Sequence, residues 1–480
     1  MNRRMVFYVI GQIVKVEALL LFITAGIAAL FDESSMKSFI VAAIIAATIG
    51  VILTFKEPEN RVIYARDGFA IVAISWVFLS VIGSLPYILS GEIPNFIDAL
   101  FESVNGFTTT GATILTSIDT LSKSILFWRS FTQWIGGMGV LVFVMSLIPL
   151  ADNRSMHIMK AELSGPVFGK LVPKLSDSAK ILYAIYIALT VVEIIILLIA
   201  GMPLYDSIVH SFSTAGTGGF SIYNESIAAY NSPLIESIIA VFMILFGVNY
   251  NLYYFMLMGN IKSALKSEEL RCYLSIIFIS IAVITINIMP IYQNVFEAVR
   301  YSGFHVASII STTGYATVDF NIWPQLSRTI LMLLMFCGSC AGSTGGGIKI
   351  ARIVIFFKMM KNEFRKMLHP RSVSLVRFEG KAIADENLHS ICIYLITYVA
   401  IACATILIIS EDGFQFETNF TATLACLNNI GIGLDMVGAT GNYSAFSSLS
   451  KLVLCFNMLL GRLEIFPVLL TLAPSIWRRK

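Results

Sequence analysis

Apolar runs long enough to cross a membrane alternate along this chain with shorter semi-polar segments, and the alternation is regular. The first two runs cover about residues 8 to 30 and 37 to 54, parted by Phe31-Asp32-Glu33-Ser34-Ser35. Each suits a hydrocarbon core that takes about 20 helical residues. Beyond them one triplet occurs four times: a full apolar span, a short half-helical segment ending in a glycine motif, and a second span. The triplets run 69–90, 96–108 and 125–150; 181–201, 205–215 and 234–261; 273–291, 295–310 and 327–360; and 388–409, 416–428 and 449–474. The pattern predicts an all-α integral membrane protein with ten complete crossings and four re-entrant segments. Two N-terminal transmembrane helices occupy 1–60, and four pseudo-symmetric helix, re-entrant loop, helix repeats follow at 61–165, 166–266, 267–375 and 376–480, around one central pore.

The short segments carry the chemistry. They end in Thr109-Thr110-Gly111, Thr217-Gly218-Gly219, Thr312-Thr313-Gly314 and Asn429-Ile430-Gly431, roughly a hundred residues apart, as an internal repeat requires. Glycine admits a positive φ without a Cβ penalty, so consecutive carbonyl oxygens can face a central cation instead of closing into a helix. Irregular backbone at membrane depth is tolerated only where protein buries it or water wets it, so four such loops imply an enclosed pathway. The half-helices begin near Asp98, Asp206, Glu297 and Glu417 and aim their negative C-terminal ends at the loops, which favours a cation. A single Ser/Thr-Gly pair reads first as a kink or helix contact; four in one topological place do not. The fourth loop, with Asn428-Asn429-Ile430 in place of three threonines, makes full fourfold equivalence doubtful.

Two features interrupt the second spans. Cys337 to Lys349 holds Gly338, Gly342, Gly345, Gly346 and Gly347, enough to break the third repeat's second helix near its middle. Gly342 and Gly347 have the spacing of a phosphate-binding loop, but Ile348 follows where that loop needs Lys. The alternatives are a flexible plug beneath the filter or close helix packing. Arg462 lies near the centre of the last span and should face protein or water. Glu464 is its nearest acid, yet residues two apart on a helix point away from one another, which leaves a pathway-facing barrier as the other reading.

Composition agrees: 57% of the 480 residues are hydrophobic, 13% are charged, and mean hydropathy is +0.80. A net charge of +3 with cations scattered among connections gives no ground for nucleic acid. Lys and Arg instead gather in alternate connections, from Arg3 and Arg4 through Lys262 and Lys266 to Arg478 and Arg479, so that side and both termini are assigned to the cytoplasm and the glycine loops to the outer layer. The N-terminal run lacks a convincing signal-cleavage site and is read as a retained helix. Seven cysteines in or beside apolar runs read as buried thiols. His210 and His305 lie near the loops without a partner acid or metal ligand at sensible spacing, so they read as half-helix packing or hydrogen-bonding residues and an enzyme is not expected.

These residues resemble the Trk/Ktr/HKT superfamily of potassium transporters, its bacterial TrkH branch in particular. The likeness rests on Thr109-Thr110-Gly111-Ala112-Thr113, Gly218-Gly219-Phe220-Ser221, Thr312-Thr313-Gly314-Tyr315, Cys340 through Lys349, and Gly461-Arg462-Leu463-Glu464, and it covers nearly the whole chain. It implies K⁺ uptake across a bacterial cytoplasmic membrane, with the twelve loop residues named above as selectivity filter. It implies a gate formed by the five glycines of 338–347 with Lys349 and Arg462. It also implies a homodimer in lipid, with a separate cytoplasmic nucleotide-binding regulatory ring of the TrkA type, and no organic cofactor on this chain. A secondary symporter coupling K⁺ to H⁺ or Na⁺ remains the alternative.

Overall fold

The computed structural model describes residues 2–59, 63–139, 175–370 and 375–477. Six helices among them are long and apolar enough to cross a membrane: Arg3–Leu30, Met36–Thr54, Arg66–Ser90, Ala179–Ile199, Glu268–Tyr292 and Asp385–Asp412. They are the N-terminal pair and the first helix of each triplet. Large apolar side chains such as Phe22, Ile44, Ile195, Phe278, Ile286, Ile396 and Leu407 stand exposed on their outer faces. A helix that is apolar all round meets protein on one side and lipid on the other. The N-terminal pair packs through small residues, with Ala25 and Ala28 buried on the first helix and Ala42, Ala43 and Ala46 on the second, which lets the backbones approach closely.

The second helices behave differently: those of repeats two, three and four are interrupted within the span. That of repeat two divides into Pro233–Phe246 and Tyr250–Leu257, bent by 91°, instead of running 234–261 unbroken. The bend falls at Gly247-Val248-Asn249, where the Asn249 side chain accepts from the Asn251 N–H and caps the new helix. Repeat three stops at Phe336 and resumes at Ile350, as its glycines demand. Repeat four stops at Arg462 and resumes at Phe466. Between them Ile465 holds φ 66 and ψ −62 while the Phe466 N–H donates to the Glu464 carbonyl at 2.7 Å, a γ-turn that is strained for a β-branched residue. Repeat one's helix Lys123–Gly137 ends beside Gly139, and the remainder of the expected 125–150 span lies outside the described residues.

The half-helices form where the sequence places them: Phe96–Phe107, Leu204–Gly216, Val295–Ile310 and Phe416–Leu427, each with an acid in its first turn. Several of those acids are spent on structure. Asp98 pairs with Lys451, Glu417 with Arg328, and Asp206 accepts from the Tyr230 and Tyr223 hydroxyls. The seven cysteines are free thiols, but only Cys340, Cys426 and Cys455 are buried; Cys403, read as buried, is exposed on an outer helix face.

Candidate ion pathway

Every half-helix ends in the same way. A residue at or just after its cap takes a left-handed conformation, at Thr109 (φ 56), Thr217 (φ 53), Thr312 (φ 61) and Asn429 (φ 54). Its N–H reaches three residues back, and the following N–H reaches five back: Thr110 to the Asn105 carbonyl (3.0 Å), Gly218 to Ser213 (2.8 Å), Thr313 to Ser308 (2.9 Å) and Ile430 to Ala425 (2.8 Å). This pairing closes a helix C-terminus and satisfies its orphan carbonyls. The next glycine is left-handed again, at Gly111 (φ 83), Gly219 (φ 72), Gly314 (φ 85) and Gly431 (φ 84). Left-handed residues on either side of one with negative φ can turn successive carbonyls to one side of the chain, as cation coordination by backbone requires. The fourth loop has the same backbone as the other three despite its different side chains, so the doubt about its equivalence does not hold for the backbone.

The four loops close on one another. A Cβ built on Gly111 would fall 2.4 Å from the Gly218 carbonyl oxygen, and one on Gly219 2.0 Å from that of Thr313. One on Gly314 would fall 2.1 Å from the Ile430 oxygen, and one on Gly431 2.4 Å from that of Thr110. Each glycine therefore abuts the middle carbonyl of the next loop, and the fourth returns to the first. The same four glycines line a common cavity of about 130 Å³ with Thr113, Ser221 and Asn224, on the side where the loops leave the ring.

The glycine-rich break lies against the opposite side. The Gly346 N–H donates to Thr312 Oγ1 at 2.8 Å, and a Cβ on Gly346 would sit 2.5 Å from the Asn428 carbonyl. A Cβ on Gly345 would sit 2.9 Å from the Ser311 carbonyl. The break is no loose segment. Gly338 donates to Ile348 O (2.7 Å), Cys340 to Gly247 O (3.0 Å), and Gly342 O accepts from Tyr250 N–H (3.2 Å). The buried Glu269 carboxylate accepts from the Ala341 and Ala351 N–H groups, at 2.6 and 3.2 Å, and so holds both ends of the break. Gly347 takes φ 70, and the buried Lys349 ammonium donates to the Gly345 carbonyl. The segment is fastened by hydrogen bonds to three neighbouring helices.

Arg462 bridges ring and break. Its guanidinium donates to Thr109 Oγ1 (3.3 Å), to the Thr344 carbonyl (2.8 Å), and to the carbonyls of Gly136 and Gly137. The Glu464 carboxylate is taken up by Arg352. His210 and His305 are the hydrogen-bonding residues expected: each ring spans from its own half-helix, to Asp206 O and Tyr301 O at 2.9 Å, across to Ser221 Oγ and Val318 O beyond the loop.

Sequence reading missed the buttresses. Arg129 and Glu102, both buried, pair at 2.6 Å behind the first loop, where Glu102 also accepts from Ile114 N–H and Thr113 Oγ1. Gln133, one turn further along the same helix, reaches the second loop. The available signal was Arg129, Gln133 and Gly136-Gly137 at helical spacing, one polar stripe on a second span. Among the described residues no group of three or more His, Cys, Asp or Glu side chains could hold a metal.

This arrangement has close counterparts among known proteins. Residues 35–479 match the family model TrkH, described as cation transport protein. The Trk system potassium uptake protein TrkH of Salmonella typhimurium is 34% identical over 485 residues, covering 100% of both chains, and TrkG of Escherichia coli K12 is 34% identical over 99% of each. The crystal structure of the potassium transporter TrkH from Vibrio parahaemolyticus superimposes with a TM-score of 0.90 at 30% identity, over 100% of both chains.

Proposed function

The chain belongs to the TrkH family of cation transport proteins, a multi-pass membrane protein, and on that premise we propose that it takes up potassium through the four-loop ring. The observation that supports this most directly is the cyclic closure of the glycines on the middle carbonyls of Thr110, Gly218, Thr313 and Ile430. A ring of backbone carbonyls replaces the hydration shell of K⁺ without a fixed counter-charge, so the ion enters and also leaves. Thr109, Thr217, Thr312 and Asn429 carry the next carbonyls, and the glycines complete the filter.

The break at Gly338 to Lys349, with Arg462, is the gate in this reading. At an effective dielectric of about 20, a fixed positive charge about 4 Å from a passing K⁺ costs on the order of 4 kcal/mol, a figure that cavity water reduces. The guanidinium also fastens the break through the Thr344 carbonyl, so barrier and latch are one residue. We assign the relatives' "Trk system" context to this chain as well: a homodimer in the bacterial inner membrane, both termini cytoplasmic, whose basic inner face receives a nucleotide-binding regulatory ring.

Purified protein in liposomes, with K⁺ on one side and Na⁺ on the other, tests the reading. The expected result is K⁺ flux exceeding Na⁺ flux with a reversal potential set by the K⁺ gradient. A reversal potential that follows an imposed H⁺ or Na⁺ gradient replaces permeation by coupled symport, and equal K⁺ and Na⁺ flux removes the filter assignment.

A further inference from the structure

The four loops share a backbone but not a means of support, and the second is the exception. In the first and third, the middle residue is a threonine whose hydroxyl bonds back to the hydroxyl two residues earlier: Thr110 to Thr108 at 2.8 Å and Thr313 to Ser311 at 2.7 Å. In the fourth the middle residue is the fully buried Ile430, and Asn428 two residues earlier donates to the Tyr398 hydroxyl. The second loop has glycine at both places, Gly216 and Gly218, so nothing of its own fills the space behind the middle carbonyl. That space is occupied by Gln133 from the neighbouring repeat. A Cβ on Gly218 would lie 2.2 Å from the Gln133 side-chain Cδ. The fully buried amide donates from Nε2 to the Gly218 carbonyl at 2.7 Å and accepts at Oε1 from the Phe220 N–H at 3.2 Å, bracketing Gly219 between its two bonds.

We propose that Gln133 is a positioning residue for ion selectivity, a side chain lent by repeat one to the Gly218-Gly219 stretch of repeat two. The inference rests on the filter reading above. A carbonyl oxygen has two lone pairs. With one engaged by Gln133, the Gly218 oxygen keeps the other for the ion, and its direction is set by a side chain from outside the loop. Na⁺, being smaller than K⁺, needs the ring to contract around it. A carbonyl tied to a buried amide on an adjacent helix resists that contraction, whereas an untied Gly-Gly segment is the most compliant backbone available. Loop two is then the side of the ring on which discrimination depends on a residue outside the loop.

The test uses full-length protein in liposomes and compares Gln133→Met, which keeps the volume and removes both hydrogen bonds, with the double substitution Gln133→Ala/Gly218→Ala. The double variant refills the space from the loop side, at a position whose φ is not left-handed, without restoring the bonds. Both are expected to lower the K⁺ over Na⁺ permeability ratio by about three- to tenfold, the range that one net hydrogen bond covers. K⁺ flux itself should change less than the ratio, and each protein should remain monodisperse. A wild-type ratio in Gln133→Met, or its restoration in the double variant, makes Gln133 a space filler and overturns the inference. Gly314→Ser in the same assay separates the two levels. If it alters selectivity while the Gln133 variants do not, only this inference fails; if none of the variants alters selectivity, the filter reading fails and takes the inference with it.

Discussion

The loop ring and the glycine-rich break lie against each other, and both are built from glycine-bearing backbone, yet they are held in opposite ways. Each ring loop is fixed mainly by its own half-helix, through N–H groups returned three and five residues, and by abutting the next loop. The break has bonds of its own, from Gly338 to Ile348 and from Lys349 to Gly345, but is fixed chiefly from outside: by Glu269 from the first helix of its repeat, by Thr312 from the ring, by Gly247 from repeat two and by Arg462 from repeat four. Local backbone closure cannot be undone without unfolding a helix end. Fastenings contributed by separate helices come apart when those helices move. One region is suited to constancy, the other to release.

Substitutions break this contrast in different places. The largest effect is expected from Gly314→Ser, which places a Cβ 2.1 Å from the Ile430 oxygen and adds left-handed strain of about 1–2 kcal/mol. Potassium uptake should be lost or its preference over Na⁺ relaxed in paired flux measurements; normal selectivity would take Gly314 out of the filter. Next is Arg462→Ala, which removes both a charge and a latch on the Thr344 carbonyl. After screening by water, K⁺ flux should rise on the order of tenfold and depend less on the regulatory partner. Unchanged or reduced flux would make Arg462 a structural tie for Gly136 and Gly137 only.

Glu269→Ala sharpens the contrast on the break's side. It frees the Ala341 and Ala351 N–H groups, whose lost bonds to a carboxylate are worth about 1.5–3 kcal/mol each before rearrangement. Hydrogen exchange at those two amides should quicken while the Thr110 and Thr313 amides stay protected, and quickening in both regions alike would erase the distinction. The smallest effect belongs to Glu417→Gln in the first turn of the fourth half-helix. Its pair with Arg328 is partly exposed, so it contributes about 0–1 kcal/mol, and flux should stay within about twofold. A much larger drop would mean that this acid concentrates cations at the mouth.

The parts of this structure that were legible are those that repeat. Four half-helices and their glycines could be placed because the motif recurs with the same neighbours, and because Gly at a left-handed position is demanded by backbone alone. The fourth loop looked divergent only while side chains were compared; Asn429 tolerates a left-handed φ better than the threonines it replaces. The breaks of repeats two and four were hidden, since a lone glycine such as Gly247 in apolar sequence does not by itself end a helix, and the turn at Ile465 holds no glycine at all. Arg129 with Glu102, Gln133 with Gly218 and Glu269 with Ala341 were hidden for another reason. Their partners lie 27, 85 and 72 residues away, and a polar residue inside a span does not announce which loop it serves.

The closure of the ring has a genetic consequence. All four sides come from one polypeptide, so a mutation reaches a single side, whereas in a ring of identical subunits it would be copied into every one. The sides are free to drift apart, as Thr110, Gly218, Thr313 and Ile430 have done, each recruiting its own support. The abutting glycines set the limit to that drift, because a side chain gained on one loop is felt first by the carbonyl of its neighbour. Compensating changes for a damaged glycine are therefore to be sought in the adjacent repeat, a hundred codons away, and not in the codons on either side.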